Sequence, residues 1–199
     1  MKAAVTALIL TMLAPAAAGA QTFVPKKIVL DDFGACIVRQ APKLSVKLMA
    51  TPLGSVEERN LAETLAKANN QCIRGRAYLS GRVGALRGSV AEALFARDQH
   101  LLLALSNKGK AFATRAPEAQ GRAFAIGYAT CLEAADPRAT AGFLLTVPTT
   151  DEERKAFLAY GDSLKDCMPA GQAYKVDITD IRNQVAAIAY RDVMPQTKG

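Results

Sequence analysis

Tryptophan is absent from the 199-residue chain, histidine occurs once, as His100, and cysteine occurs four times. Each scarcity excludes chemistry. With one histidine there is no HExxH pair, no C-x-x-C-H haem attachment and no two-histidine metal centre. A Ser–His–acid triad would have to use His100, which sits in the apolar run HLLLAL, where a partly buried structural role is expected. No C-x-x-C occurs, so thioredoxin-like exchange is not expected. Structural zinc sites use close-spaced cysteine pairs, which are also missing. The reading is therefore no metal and no cofactor. Aromatic residues make up 6 % of the chain, too few for a stacking platform, so no specific nucleic acid is expected.

Long apolar runs are lacking beyond the N-terminus. There, Lys2 precedes an apolar stretch from Ala3 to Leu13, Pro15 ends it, and Ala18-Gly19-Ala20 fits a small-x-small cleavage site. Residues 1–20 read as a secretory signal peptide cut before Gln21. The stretch is short of the roughly twenty apolar residues that span a bilayer. After cleavage no transmembrane segment is expected, and the 199 − 20 = 179 remaining residues are placed in the periplasm or outside the cell.

What the chain does contain is an internal repeat. Shifted by 95 positions, it aligns with itself without a gap for about sixty residues. Cys36 falls on Cys131, Pro42 on Pro137, Thr51 on Thr146 and Cys72 on Cys167. Glu57-Glu58-Arg59 falls on Glu152-Glu153-Arg154, and Arg87, Val90 and Ala91 fall on Arg182, Val185 and Ala186. The domain reading is one helical repeat over 21–109 and a second over 110–199.

Each copy reads as about four helices, giving an all-α fold. The first helix carries Cys36 or Cys131 and stops before proline, because a residue preceding proline avoids the helical region. A short second helix runs through Leu44, Leu48 and Met49. The third opens on a capping box, Ser55-x-x-Glu58 or Thr150-x-x-Glu153. Leu61, Leu65, Ala68 and Cys72 then share one face, as do Phe157, Tyr160, Leu164 and Cys167. The fourth begins near Leu86 or Ile181 and, in the first copy, is expected to continue to Leu105. Pro117-Glu118 is read as the start of the next helix, and Tyr78–Ser80 and Tyr174–Val176 as short extended pieces.

Four cysteines in an exported chain imply two disulfides. Three pairings exist. The repeat favours Cys36–Cys72 with Cys131–Cys167, each unit closing itself; Cys36–Cys131 with Cys72–Cys167 would also respect the symmetry. A loop of this length contributes about 4 kcal/mol in the chain-entropy model.

Charge is uneven. From Phe33 to Asp98, ten Lys/Arg against five Asp/Glu give +5, whereas from Tyr128 to Asp192 seven against ten give −3. The halves either carry ordinary solvated surfaces or attract one another, or the first faces an anionic partner. Arg74, Arg76 and Arg82, spaced by glycines, form a candidate anion-binding loop; a turn-rich connector with solvated arginines is the plainer reading. Arg87 and Arg182 recur near a helix start, where positive charge is unfavourable, so each is expected to hold a fixed acidic partner, Glu57 and Glu152 respectively. Gly161-Asp162-Ser163-Leu164 spells the GDSL esterase signature, but it falls in a helical segment and no histidine follows it.

The recurring pattern, Cys36, Pro42, Thr51, Ser55, Glu57, Glu58, Cys72, Arg87, Val90, Ala91 and Phe95, with its second set ending at Tyr190, resembles a group of exported bacterial proteins built on a cysteine-bracketed helical unit. The resemblance implies architecture and export and no activity. The functional expectation is a non-enzymatic interaction or envelope-associated protein, its partner another protein or an anionic envelope component. A binder of anionic polymer or lipid headgroups through the Arg74–Arg87 loop is the first alternative, and a carboxylate-based hydrolase the second.

Overall fold

A computed structural model describes residues 24–73, 82–171 and 174–194. The signal-peptide reading, Arg74, Arg76 and Tyr78–Ser80 lie outside the described residues. Among those residues every regular element is helical: α1 (Lys26–Gln40), α2 (Pro42–Ala50), α3 (Val56–Ala68), a 3-10 turn (Asn70–Cys72), α4 (Val83–Arg97), α5 (His100–Ser106), α6 (Gly121–Ala135), α7 (Pro137–Leu144), α8 (Asp151–Leu158), α9 (Ser163–Asp166) and α10 (Ile178–Val193). Helices α6 to α10 repeat α1 to α4, with α9 opposite the 3-10 turn and α5 an addition to the first copy.

Local chemistry sets these boundaries. Pro42 and Pro137 occupy the first helical positions of α2 and α7, where the missing N–H costs nothing. Ser55 Oγ accepts the Glu58 N–H at 3.0 Å, and Thr150 Oγ1 accepts the Glu153 N–H at 3.2 Å. The return bond of each capping box reaches one residue further than expected. Glu58 accepts from the Gly54 N–H at 2.9 Å and Glu153 from the Thr149 N–H at 2.6 Å, because the other oxygen of each carboxylate is held by an arginine. Disulfides join Cys36 to Cys72 and Cys131 to Cys167, so each repeat closes on itself.

Five boundaries differ from the sequence expectation. Helices α4 and α10 start about a turn earlier, at Val83 and Ile178, the latter capped by the Asp177 carboxylate. Helix α4 does not run on to Leu105: Asp98 leaves the helical region (φ −133°, ψ 87°) and accepts the His100 N–H at 3.2 Å. His100 is consequently exposed at the start of α5 rather than half-buried. Helix α6 opens at Gly121, not Pro117, since the Ala116 N–H is tied to the Cys167 carbonyl at 2.9 Å. The third helix of the second repeat breaks at Gly161 (φ +56°), a left-handed conformation suited to glycine, so the Gly-Asp-Ser-Leu tetrapeptide spans a turn and the start of α9. Tyr174–Val176 belongs to no helix or strand.

Helices α4 and α10 run side by side in one direction. Arg82 lies near Asp180, Gly88 against Asn183, and the Phe95 ring meets Tyr190 edge-on at 5.3 Å. Positions 88 and 183, and 95 and 190, are equivalent in the repeat, so a pseudo-twofold axis runs along this seam. Helix α1 flanks α4, α6 flanks α10, and α5 crosses to cover α7. The buried side chains form one cluster drawn from both copies. The boundary read at 109/110 thus separates repeats that share one core.

The seam demands glycine at position 88, where a Cβ would lie 2.5 Å from Asn183 Cα. Gly88→Ala is expected to lower stability by about 2 kcal/mol or more through overpacking. Gly142, also helical, has nothing within 4 Å of a built Cβ, so Gly142→Ala should raise stability by about 0.5–1 kcal/mol. Urea denaturation of the two variants checks the pair, and similar values for both would contradict the packing described.

Candidate functional site

Two arginines lie wholly inside the protein. Arg87, 0 % exposed, donates from Nη1 to Thr51 Oγ1 (3.0 Å) and Glu58 Oε1 (3.1 Å), and from Nη2 to the carbonyls of Met49 (2.7 Å) and Thr51 (3.0 Å). Arg182, 1 % exposed, repeats this arrangement with Thr146 Oγ1 (3.0 Å), Glu153 Oε1 (3.3 Å) and the carbonyls of Phe143, Leu144 and Thr146. Each guanidinium therefore ties the C-terminal carbonyls of α2 or α7 to the capping glutamate of α3 or α8. A cation is favoured at a helix C-terminus and a carboxylate at an N-terminus.

The acidic partners are Glu58 and Glu153, not Glu57 and Glu152. Helical geometry explains the correction: adjacent residues point about 100° apart, and position 57 or 152 faces solvent while 58 or 153 is buried. The repeat marks all four glutamates equally and does not choose between neighbours.

Each centre is completed by the opposite repeat. Arg122 reaches Glu58 with Nη2 at 2.6 and 2.7 Å. Its equivalent in the first copy is Lys27, which is 3 % exposed, pairs with Asp31 and donates to Glu92 Oε1 at 2.7 Å. Glu92 Oε2 in turn accepts from Arg182 Nε at 2.9 Å and Nη2 at 2.8 Å. Ion pairs thus cross between the halves, but at both centres the cation comes from the second repeat and the carboxylate from the first, opposite to the charge asymmetry; Lys108, bonded to Glu133 (2.7 Å) and Asp192 (2.8 Å), runs the other way. Burial pushes the Glu58 carboxyl up, but hydrogen bonds from Arg122 and Gly54 and the two guanidinium charges outweigh it, and the group ends below its ordinary range. Burial prevails at Asp31: although Lys27 pulls its carboxyl down, the neighbouring Glu92 charge adds to desolvation and it ends above its ordinary range.

The second centre forms one side of a cavity of about 440 Å³. Asp31, Asp32, Ser89, Glu92 and Arg182 supply its polar side. Leu102 and the turn after α7, with Leu145 and Val147 exposed at 69 % and 63 %, supply apolar walls. None of Asp31, Ser89 or Glu92 has a like residue in the other copy, where Ile126, Gln184 and Ala187 stand. Comparing repeats therefore could not find them. The only signal available was their spacing along two helix faces.

Of the expected anion-binding residues, Arg82 is described. It is exposed and lies 3.7 Å from Asp180. It lines a smaller cleft of about 130 Å³ where the first turns of α4, α6 and α10 converge, with Arg122, Lys175 and Gln184. Among the described residues no group of three or more His, Cys, Asp or Glu side chains is placed to hold a metal ion.

Arg182→Gln is expected to lower stability by roughly 3 kcal/mol or more, since the buried Glu153 carboxylate loses its guanidinium, and Arg87→Gln by less, since Glu58 keeps Arg122. Glu57→Gln and Glu152→Gln should stay within about 0.5 kcal/mol. Urea midpoints test the contrast. The depressed carboxyl of Glu58 stabilises the fold above its unfolded pKa, and that contribution is lost as pH falls through the folded value. Wild type should therefore lose more stability than Glu58→Gln between about pH 5 and about pH 3. An equal loss would contradict the assignment.

Compared with known proteins, the chain matches no family model, no curated protein and no solved structure.

Proposed function

We propose that the chain is an exported, non-enzymatic binding protein whose ligand enters the cavity between α1, α4 and the turn after α7. The observation that carries the reading is the cavity: at about 440 Å³ it falls in the range of ligand pockets, and a few convergent polar groups face apolar walls. Export is supported by the residue 1–20 pattern together with two closed disulfides, which persist in oxidising compartments. Binding is favoured over hydrolysis by carboxylates because Glu92 is already committed to Lys27 and Arg182. That leaves Asp31 and Asp32 on one helix as the remaining acids lining the cavity.

One observation favours a second reading, an anionic polymer or lipid headgroup held near Arg82. Three helix N-termini meet at the smaller cleft, and neither Arg82 nor Gln120 caps its helix with a side chain. Such ends favour anions.

A thermal-shift screen of small molecules on wild type and a Leu145→Asp/Val147→Asp variant separates these readings. A ligand at a hundred times its Kd stabilises by about 2.7 kcal/mol. The expected result is a set of compounds that stabilise wild type, fail on the variant and are recovered unchanged. Hits that shift both proteins equally, or that are consumed, would overturn the binding reading. Under the first reading, replacing Arg74, Arg76 and Arg82 with Gln should lower the salt of heparin elution no more than replacing the exposed Lys43, Lys67 and Lys155, because a basic chain binds heparin through net charge alone. Under the second, the arginine variant elutes at clearly lower salt than the lysine one.

A further inference from the structure

We infer that the cavity takes an organic cation, an ammonium or guanidinium group carried on an apolar body; this rests on the binding reading and names the ligand class. The first support is charge. Asp31, Asp32, Glu92 and Glu153 lie in or beside the polar side against Lys27 and Arg182, a balance of 2 − 4 = −2. The chain as a whole carries +7, so the cavity is an acidic site on a basic protein. An anion is disfavoured there and a cation is drawn in.

The second support is independent of charge. Ser89 is 1 % exposed and lines the cavity. Its hydroxyl is turned as a donor toward the Asp31 carboxylate, and its own oxygen accepts from no group among the described residues. A hydroxyl oxygen has two acceptor lone pairs. An N–H donor from a ligand would bridge Ser89 Oγ and Asp31, filling a free lone pair of the hydroxyl and giving the carboxylate a second counter-charge.

The walls define the rest of the ligand. Leu102, Leu144, Leu145, Val147 and Pro148 offer hydrocarbon and no charge. A bare inorganic cation would leave these walls wet, whereas an alkyl or aryl ammonium covers them. The exposed Leu145 and Val147 side chains at the rim then gain a partner.

The test uses the full mature protein and three probes of one shape: hexylammonium, 1-hexanol and hexanoate, titrated by calorimetry and ligand-observed NMR. Hexylammonium is expected to saturate one site and to bind at least about tenfold more tightly than either other probe. Asp32→Asn and Val147→Lys, both at exposed positions, should weaken it by about threefold or more without moving the unfolding midpoint. Asp31→Asn and Ser89→Ala should weaken it further. If 1-hexanol binds as tightly, the cavity is an apolar binder: the binding reading stands and the cation assignment falls. Binding of a trilysine peptide with no response to hexylammonium would move the cation onto a polypeptide and overturn a small ligand. If no probe binds and the Leu145→Asp/Val147→Asp variant behaves as wild type in the thermal screen, both readings fail.

Discussion

Two guanidinium groups buried in the core set the terms for the rest of the structure. A buried charge is costly unless it is paired and its donors are hydrogen-bonded. Arg87 meets that condition at both terminal nitrogens, with a carboxylate, a hydroxyl and two carbonyls, and leaves its Nε–H without a partner among the described residues. Arg182 has a similar set and places its Nε–H on Glu92. These partners come from three successive segments of each repeat: the end of the second helix, the turn, and the start of the third. The short α2 and α7, of nine and eight residues, are below the length at which isolated helices are stable. Their carbonyl ends are held by the arginines. Glu58 and Glu153 act twice, as caps for their own helices and as counter-ions.

The same centres join the repeats, and there the symmetry breaks. Positions 27 and 122 are equivalent, yet Arg122 reaches directly across to Glu58 while Lys27 reaches the second centre only through Glu92. Arginine offers a planar fork that spans two oxygens; lysine offers a point charge on a shorter reach. The difference leaves the first centre with two cations on one carboxylate. The second holds two cations among Asp31, Glu92 and Glu153. The acidity of the cavity beside the second centre comes from Asp31 and Glu92, which stand where the other copy has Ile126 and Ala187.

What the sequence reveals follows from what the repeat holds in common. Features present in both copies were readable: the disulfide pairing most favoured by the repeat, the capping serine and threonine, the helix ends at Pro42 and Pro137, and the arginines at 87 and 182. The choice of Glu58 over Glu57 was not, because two adjacent glutamates recur together and only the helix phase separates them. The breaks at Asp98 and Gly161 were hidden by apolar periodicity that continues across them: Leu102 and Leu105 remain buried although α5 has turned away from α4. The cavity was illegible for a more basic reason. Ser89, Asp31 and Glu92 are unique to one copy, and they meet only when α1, α4 and α10 pack around one seam.

Arg182 links the buried frame to the proposed ligand. Its guanidinium holds the carbonyls of Phe143, Leu144 and Thr146, and the side chains of Leu144, Leu145 and Val147 on that same turn form the apolar wall. Through Glu92 and Lys27 it also fixes Asp31 on the facing helix. One buried side chain thus sets the distance between the acidic side and the apolar side. A cavity so braced loses little conformational entropy on binding, because its walls are ordered beforehand. Catalysis asks for something different: a proton donor or nucleophile free to change partners as a reaction proceeds. Here Glu92 and Arg182 are spent on the fold. A frame that commits these charged groups to structure supports the proposed binding role over a catalytic one.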